Sequence, residues 1–208
     1  MKKFFILCLM ALAVCVNANA DKVVGHYHQG STEYIVQAGH YHQGSTEYIV
    51  QATYKNDLEV FIQVDGGHKS DMVFICIYGI ENIQNFIDAL NVCKTKYIEW
   101  SEVAKSNNIT DFRKPINVKF PDVQIGWFGN ETYLSHKHDF IKPTFSVGEN
   151  INFVVIAGKA KHWNNDYIDT NFYMILTQND IDELVNALNV DNIYSIFSQE
   201  TKTDALFQ

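Results

Sequence analysis

Past Met72 the hydrophobic residues change their period once, and that change commits the chain to a mixed architecture. Residues 72–78, MVFICIY, form an almost unbroken apolar run, which suits a strand buried on both faces. Directly after it, Ile83, Phe86, Ile87, Leu90, Cys93 and Tyr97 fall at three- and four-residue intervals, and the stripe continues to Trp100 and Ala104. The spacing predicts a helix of about 24 residues, ~36 Å long, ended by the polar Ser106-Asn107-Asn108. Ahead of the switch, residues 46–54 and 58–65 alternate. Tyr48, Val50, Ala52 and Tyr54 share one face, Leu58, Val60, Ile62 and Val64 share a face of the next strand, and Asn56-Asp57 supplies the turn. Three strands in a meander, followed by a helix, is the simplest unit these patterns allow.

That unit has a second occurrence. FICIYGIENIQNFIDALNV (74–92) aligns without a gap on FYMILTQNDIDELVNALNV (172–190), with seven of nineteen positions identical. The matching positions include Ile83 with Ile181, Ala89 with Ala187 and Leu90 with Leu188, while Phe86/Leu184 and Ile87/Val185 stay apolar, so the core-facing stripe is what recurs. Strand-like runs at 144–147, 151–160 and 168–176 precede the second helix. Thr177 and Asp180 read as a capping box at its start. Residues 115–140 supply further strands, and 191–207 a terminal helix. The expected class is α+β: an antiparallel sheet built from two meander-plus-helix halves, roughly 46–107 and 115–208, with the helices packed on one side.

The chain opens with Lys2 and Lys3, thirteen apolar residues (4–16) and then Asn17-Ala18-Asn19-Ala20, the order of a secretory signal. Thirteen apolar residues fall short of the ~20 that cross a bilayer as a helix. Cleavage near Ala20 and a secreted or periplasmic product, with no integral membrane segment, are therefore expected. Residues 21–45 read as an N-terminal segment and 46–208 as a single domain. Without Lys2 and Lys3 the product carries 14 basic against 24 acidic residues, a net charge of −10, which makes nucleic acid a poor partner. Cys8 and Cys15 leave with the signal. Cys76, in the apolar run, and Cys93, on the helix stripe, read as small buried hydrophobes, with a disulfide between them as the alternative.

The stretch KYIEWSEVAKSNNIT (96–110), following a strand and a long helix in a chain with an export signal, resembles small secreted proteins of unknown function from Bacteroides-like bacteria. The resemblance implies export and brings no activity or site residues with it.

Residues 25–38 and 39–52 are the same fourteen letters, GHYHQGSTEYIVQA, twice in succession. Strand alternation puts His26 and His28 on one side, and His40 and His42 likewise. His136 and His138 form a third such pair, and His68 and His162 complete the eight histidines. Zinc takes three or four nitrogen, sulfur or carboxylate ligands, and copper and nickel accept imidazole, so these three pairs are the candidate metal ligands. A 14-residue identity is also what a recent in-frame duplication leaves, and an even-numbered insertion preserves which residues face inward. One copy is expected to pair with the sheet and the N-terminal copy to form an irregular or edge segment.

No nucleophile elbow, Walker loop or dinucleotide fingerprint occurs. Asp180, Asp182 and Glu183 read as charges at a helix start. Two aromatics in glycine- or asparagine-rich surroundings, Trp127 and Trp163, are the candidate ligand-stacking residues; a flat ring beside amides can stack on and hydrogen-bond a sugar or peptide. The leading functional expectation is an exported, non-enzymatic binding protein for a protein, peptide or glycan. A histidine-based zinc, copper or nickel binder comes next, and an enzyme with a site scattered along the chain third.

Overall fold

The computed structural model describes residues 25–28, 32–43, 46–54, 57–67, 72–128, 132–138, 141–148 and 151–205; the expected signal sequence and His68 lie outside the described residues. The fold is α+β. In chain order the elements are β1 (Gly25–His28), β2 (Thr32–Gln43), β3 (Thr46–Tyr54), β4 (Leu58–Gly66), β5 (Met72–Tyr78), α1 (Ile80–Ser106), β6 (Phe112–Pro115), β7 (Gln124–Phe128), β8 (Thr132–Leu134), β9 (Lys142–Val147), β10 (Asn152–His162), β11 (Asn165–Leu176), α2 (Gln178–Ala187) and α3 (Val190–Ala205). Among the described residues, no helix is long and apolar enough to cross a membrane.

Every strand pairing described is antiparallel, and the sheet branches at β4. Its first part pairs with β3 on one edge and β5 on the other, and the path continues through β7 to β8. Its last residues, Asp65 and Gly66, run on past β3 to meet Tyr173 and Phe172 of β11, from which β10, β9 and β6 follow. The two arms meet again at a single bridge, Ser135 opposite His162, beside which the Trp163 N–H donates to the Leu134 carbonyl at 2.9 Å. The pairings β4-β5-β7-β8-β10-β11 thus return to their starting strand. This closure, which joins residues far apart in sequence, positions the site described below.

Alternation along β11 shows how the core is filled. Thr170, Phe172, Met174 and Leu176 are buried, whereas Tyr173 and Ile175 on the other face are exposed. The α1 stripe of Ile83, Phe86, Leu90 and Cys93 joins Ile62, Ile75, Phe145, Ile156 and Phe172 in one cluster, to which Ile181, Leu184 and Leu188 also belong. Burial of each such large side chain contributes roughly 1.5–3 kcal/mol. Cys76 and Cys93 are both buried and free, so the expected packing role holds and no bridge joins them.

A three-stranded antiparallel meander precedes α1 and another precedes α2. The helices that follow differ. α1 runs unbroken for 27 residues, and α2 stops after 10. Asn189 explains the stop: its Oδ1 accepts the Asn192 N–H at 3.0 Å, the bond of an N-cap, and this starts α3. The aligned Asn91 sits inside α1, where its carbonyl accepts the Thr95 hydroxyl at 2.9 Å. Their seats differ as well, since α2 meets β2 where a Cβ on Gly39 would stand 2.7 Å from the Ala187 Cβ, whereas Tyr97 and Trp100 of α1 pack on Phe145 of β9. The order of elements recurs, and the packing does not.

The duplicated unit enters the sheet twice and in two registers. In the first copy His28 pairs with Thr32 and His26 with Tyr34. In the second, Gln43 pairs with Thr46, His42 with Glu47 and His40 with Ile49. Identical letters are therefore offset by one residue, which exchanges the side chains that share a face. β1 is the end strand of the path, as expected for the N-terminal copy. The rest of that copy, however, continues into β2, which pairs with β3 on both sides of a bulge at Ala38. β2 ends at Gln43 and β3 begins at Thr46, and Tyr41 of β2 is fully buried with its hydroxyl 2.6 Å from the Gln63 carbonyl.

Candidate functional site

The β10–β11 hairpin carries the most exposed aromatic surface among the described residues. Pairing along the hairpin is regular up to Lys161 opposite Asp169, then shifts so that His162 faces Asn165. Residues 166–168 are thereby left over on β11 as a three-residue bulge. Asn165 Oδ1 accepts the Tyr167 N–H at 3.0 Å, an Asx-type turn that fixes the bulge. Tyr167 is 99% exposed and Trp163 53% exposed. Asn164, Asn165 and Asp166 are exposed beside them.

What holds this tip is the closure of the sheet. The His162 ring lies 6.5 Å from Trp127, 5.6 Å from Tyr133 and 5.8 Å from Trp163, centroid to centroid. Its Nδ1 is buried and has no hydrogen-bond partner among the described residues. Trp127 itself is 3% exposed, because its strand pairs with β5 and places it opposite Val73. Trp127 is therefore not a stacking surface for a ligand; it is the buried end of an aromatic column whose exposed end is Trp163. The two tryptophans selected from the sequence are brought together through His162, and Tyr133, His162 and Tyr167 complete a group that local sequence did not indicate. An exposed Lys159–Asp169 ion pair at 2.9 Å crosses the hairpin below the tip.

The candidate metal ligands are placed in three separate surroundings. His26 and His28 lie on β1, at the register positions given above. His136 and His138 are exposed; His138 bridges Val123 through its backbone, and His136 lies in the irregular segment after β8. Among the described residues, His136 and His138 do not fall into one ligand group with His40 and His42. The latter two are neighbours, with rings 5.5 Å apart at 82°. Glu183 Oε2 lies 2.8 Å from His42 Nδ1 and accepts the His42 N–H at 3.0 Å. Glu47 Oε1 lies 3.5 Å from His40 Nδ1. Donation of the His42 ring N–H to the Glu183 carboxylate holds the imidazole above its usual pKa, against partial desolvation. Among the described residues, no group of three or more His, Cys, Asp or Glu is placed to hold an ion.

The acidic cluster at the start of α2 is committed to structure. Asp180 Oδ2 accepts from both the N–H and the hydroxyl of Thr177 at 2.7 Å, completing the expected capping box. Asp182 pairs with Lys94 of α1, and Glu183 with His42. A cleft of about 590 Å³ lies between α1 and residues 118–122 and is lined by Asn82, Asn85, Asp88, Lys119 and Asp122 over the Phe120 ring. No protein-family model, no curated protein and no solved structure matches this chain.

Proposed function

We propose that this chain is an exported, non-catalytic binding protein that engages a glycan through the tip of the β10–β11 hairpin. One observation carries the reading: Trp163 and Tyr167 stand exposed at a tip whose backbone is fastened to β8 by the Leu134–Trp163 hydrogen bond and by the rings around His162. Leaving two large rings in water forgoes the burial that stabilises the core of the sheet, and an apolar surface of this kind suits a binding partner. Because the tip is anchored before a ligand arrives, little ordering entropy is lost on binding. Ring faces match the C–H faces of a sugar, and the exposed amides of Asn164 and Asn165 beside them match its hydroxyls. A net charge of −8 for the whole chain favours neutral over acidic glycans.

The test is a glycan array probed with the wild-type chain and with the Trp163→Ala/Tyr167→Ala double variant. Retention of neutral glycans by the wild type, reduced at least tenfold in the variant, is the expected result. An array that retains nothing, or retention unchanged by loss of both rings, contradicts the proposal.

A further inference from the structure

The doubled histidines are left unused by the hairpin tip, and their strand register differs between the copies although their letters do not. In the second copy, His40 and His42 project from the same face of β2, 39% and 38% exposed, with rings 5.5 Å apart. His42 Nδ1 is hydrogen-bonded to Glu183 at 2.8 Å, and Glu47 stands near His40 Nδ1 at 3.5 Å, a looser ion-pair contact. A ring whose Nδ1–H is turned toward a carboxylate carries its lone pair on Nε2, and the carboxylate makes that nitrogen a stronger donor. In metal centres such carboxylates sit behind the ligating imidazoles and orient them.

In the first copy the same residues cannot repeat this arrangement. The one-residue offset puts Thr32 opposite His28, where Glu47 stands opposite His42, and Glu33 falls opposite Tyr27. Register alone therefore removes the opposed histidine–glutamate pair from the first copy. Glu183 comes from α2, whose contact with the second copy is fixed by the close approach of Ala187 to Gly39.

We infer that His40 and His42 form a two-imidazole site for a divalent transition ion, with Glu47 and Glu183 as the carboxylates behind the ligands, and that the identical His26 and His28 do not. Two rings at 5.5 Å can share an ion bound at about 2.1 Å to each Nε2. Imidazole nitrogen suits copper(II), nickel(II) and zinc, in the order copper tightest. Among the described residues two imidazole nitrogens are on offer, so water fills the remaining positions. The site therefore tolerates the square arrangement of copper(II) better than the closed tetrahedron of structural zinc. This inference is independent of the glycan reading, since Trp163 and Tyr167 take no part in it.

The duplication supplies its own control. Copper(II) is titrated into the full chain, with calorimetry for affinity and electron paramagnetic resonance for nitrogen ligation. The comparison set is His40→Ala/His42→Ala, His26→Ala/His28→Ala, His136→Ala/His138→Ala and Glu183→Gln. Wild type is expected to bind one tightest copper(II) with two-nitrogen ligation. His40→Ala/His42→Ala lowers that affinity at least tenfold, the other two histidine pairs leave it within twofold, and Glu183→Gln, which keeps both rings, weakens it about tenfold. Circular dichroism and thermal unfolding confirm that each variant is folded; if His40→Ala/His42→Ala does not fold, Glu183→Gln decides. Equal affinity in the His40→Ala/His42→Ala variant, a loss on replacing His26 and His28 instead, no change in Glu183→Gln, or no wild-type binding tighter than millimolar would each overturn the assignment.

Discussion

Gly39 and Ala187 approach so closely that a Cβ on the glycine would fall 2.7 Å from the alanine Cβ and 3.1 Å from its Cα. This contact seats α2 on the second copy of the duplicated unit. The neighbour on one side is backbone, which cannot swing away as a long side chain would. Gly39→Ala is therefore expected to destabilise the fold by about 1–3 kcal/mol, the usual cost of overpacking. Ala187→Gly in the same chain should recover part of that loss. Urea denaturation of the single and double variants measures both.

The His42–Glu183 pair predicts a stability that depends on pH in a defined direction. The Glu183 hydrogen bond, with smaller help from the charges of Glu183, Glu47 and Asp180, raises the folded-state pKa of His42 above its ordinary 6.5. The contribution is thus fully present below 6.5 and is lost as pH rises through the raised value. Both side chains are more than a third exposed, so the effect is held to at most ~1 kcal/mol by solvent screening. Unfolding free energies measured in metal-free buffer from pH 5 to 9 should fall across this window in the wild type and flatten in Glu183→Gln.

Burial pushes the thiols of Cys76 and Cys93 up to about 12. At pH 8 almost none of either is thiolate, and neither is accessible. Peptide mapping after iodoacetamide treatment should find both unmodified in the native chain and both modified in urea. Rapid native labelling of either would contradict the packing described.

Thr177 caps α2 and also holds Asp180 in place. Thr177→Ala removes the side-chain half of the capping box and should cost about 1 kcal/mol. Because α2 carries Glu183, the same variant should also reduce the pH dependence described above.

Parts of this fold were legible because their signals are local. The apolar run of β5 and the stripe of α1 lie within one window, and their observed limits match the expected ones closely. The end of α1 was readable too: Asn107 is the C-cap, and Asn108 adopts a φ of 53° that asparagine tolerates. The two registers of GHYHQGSTEYIVQA were not legible, since identical letters carry identical local preferences. Contacts from elsewhere separate the copies: Glu183 on His42, Ala187 on Gly39, and Gln43 Oε1 accepting the Ile175 N–H at 2.5 Å. Trp127, between glycines, and Trp163, beside asparagines, both sit in turn-like sequence, and the long-range pairing of β7 with β5 buries the first while the second stays exposed. Tyr167 was overlooked because a three-residue bulge leaves no periodic trace.

The most direct test of the proposal that the hairpin tip binds a glycan is a nuclear magnetic resonance titration of the chain, ¹⁵N-labelled at its tryptophan indoles, with the neutral oligosaccharide best retained on the array. The indole resonance of Trp163 should shift in step with saturation, with those of Trp100 and the buried Trp127 nearly still. A Trp163 resonance that stays in place while the oligosaccharide binds, or shifts confined to the cleft beside Asn82 and Asp122, would contradict the account.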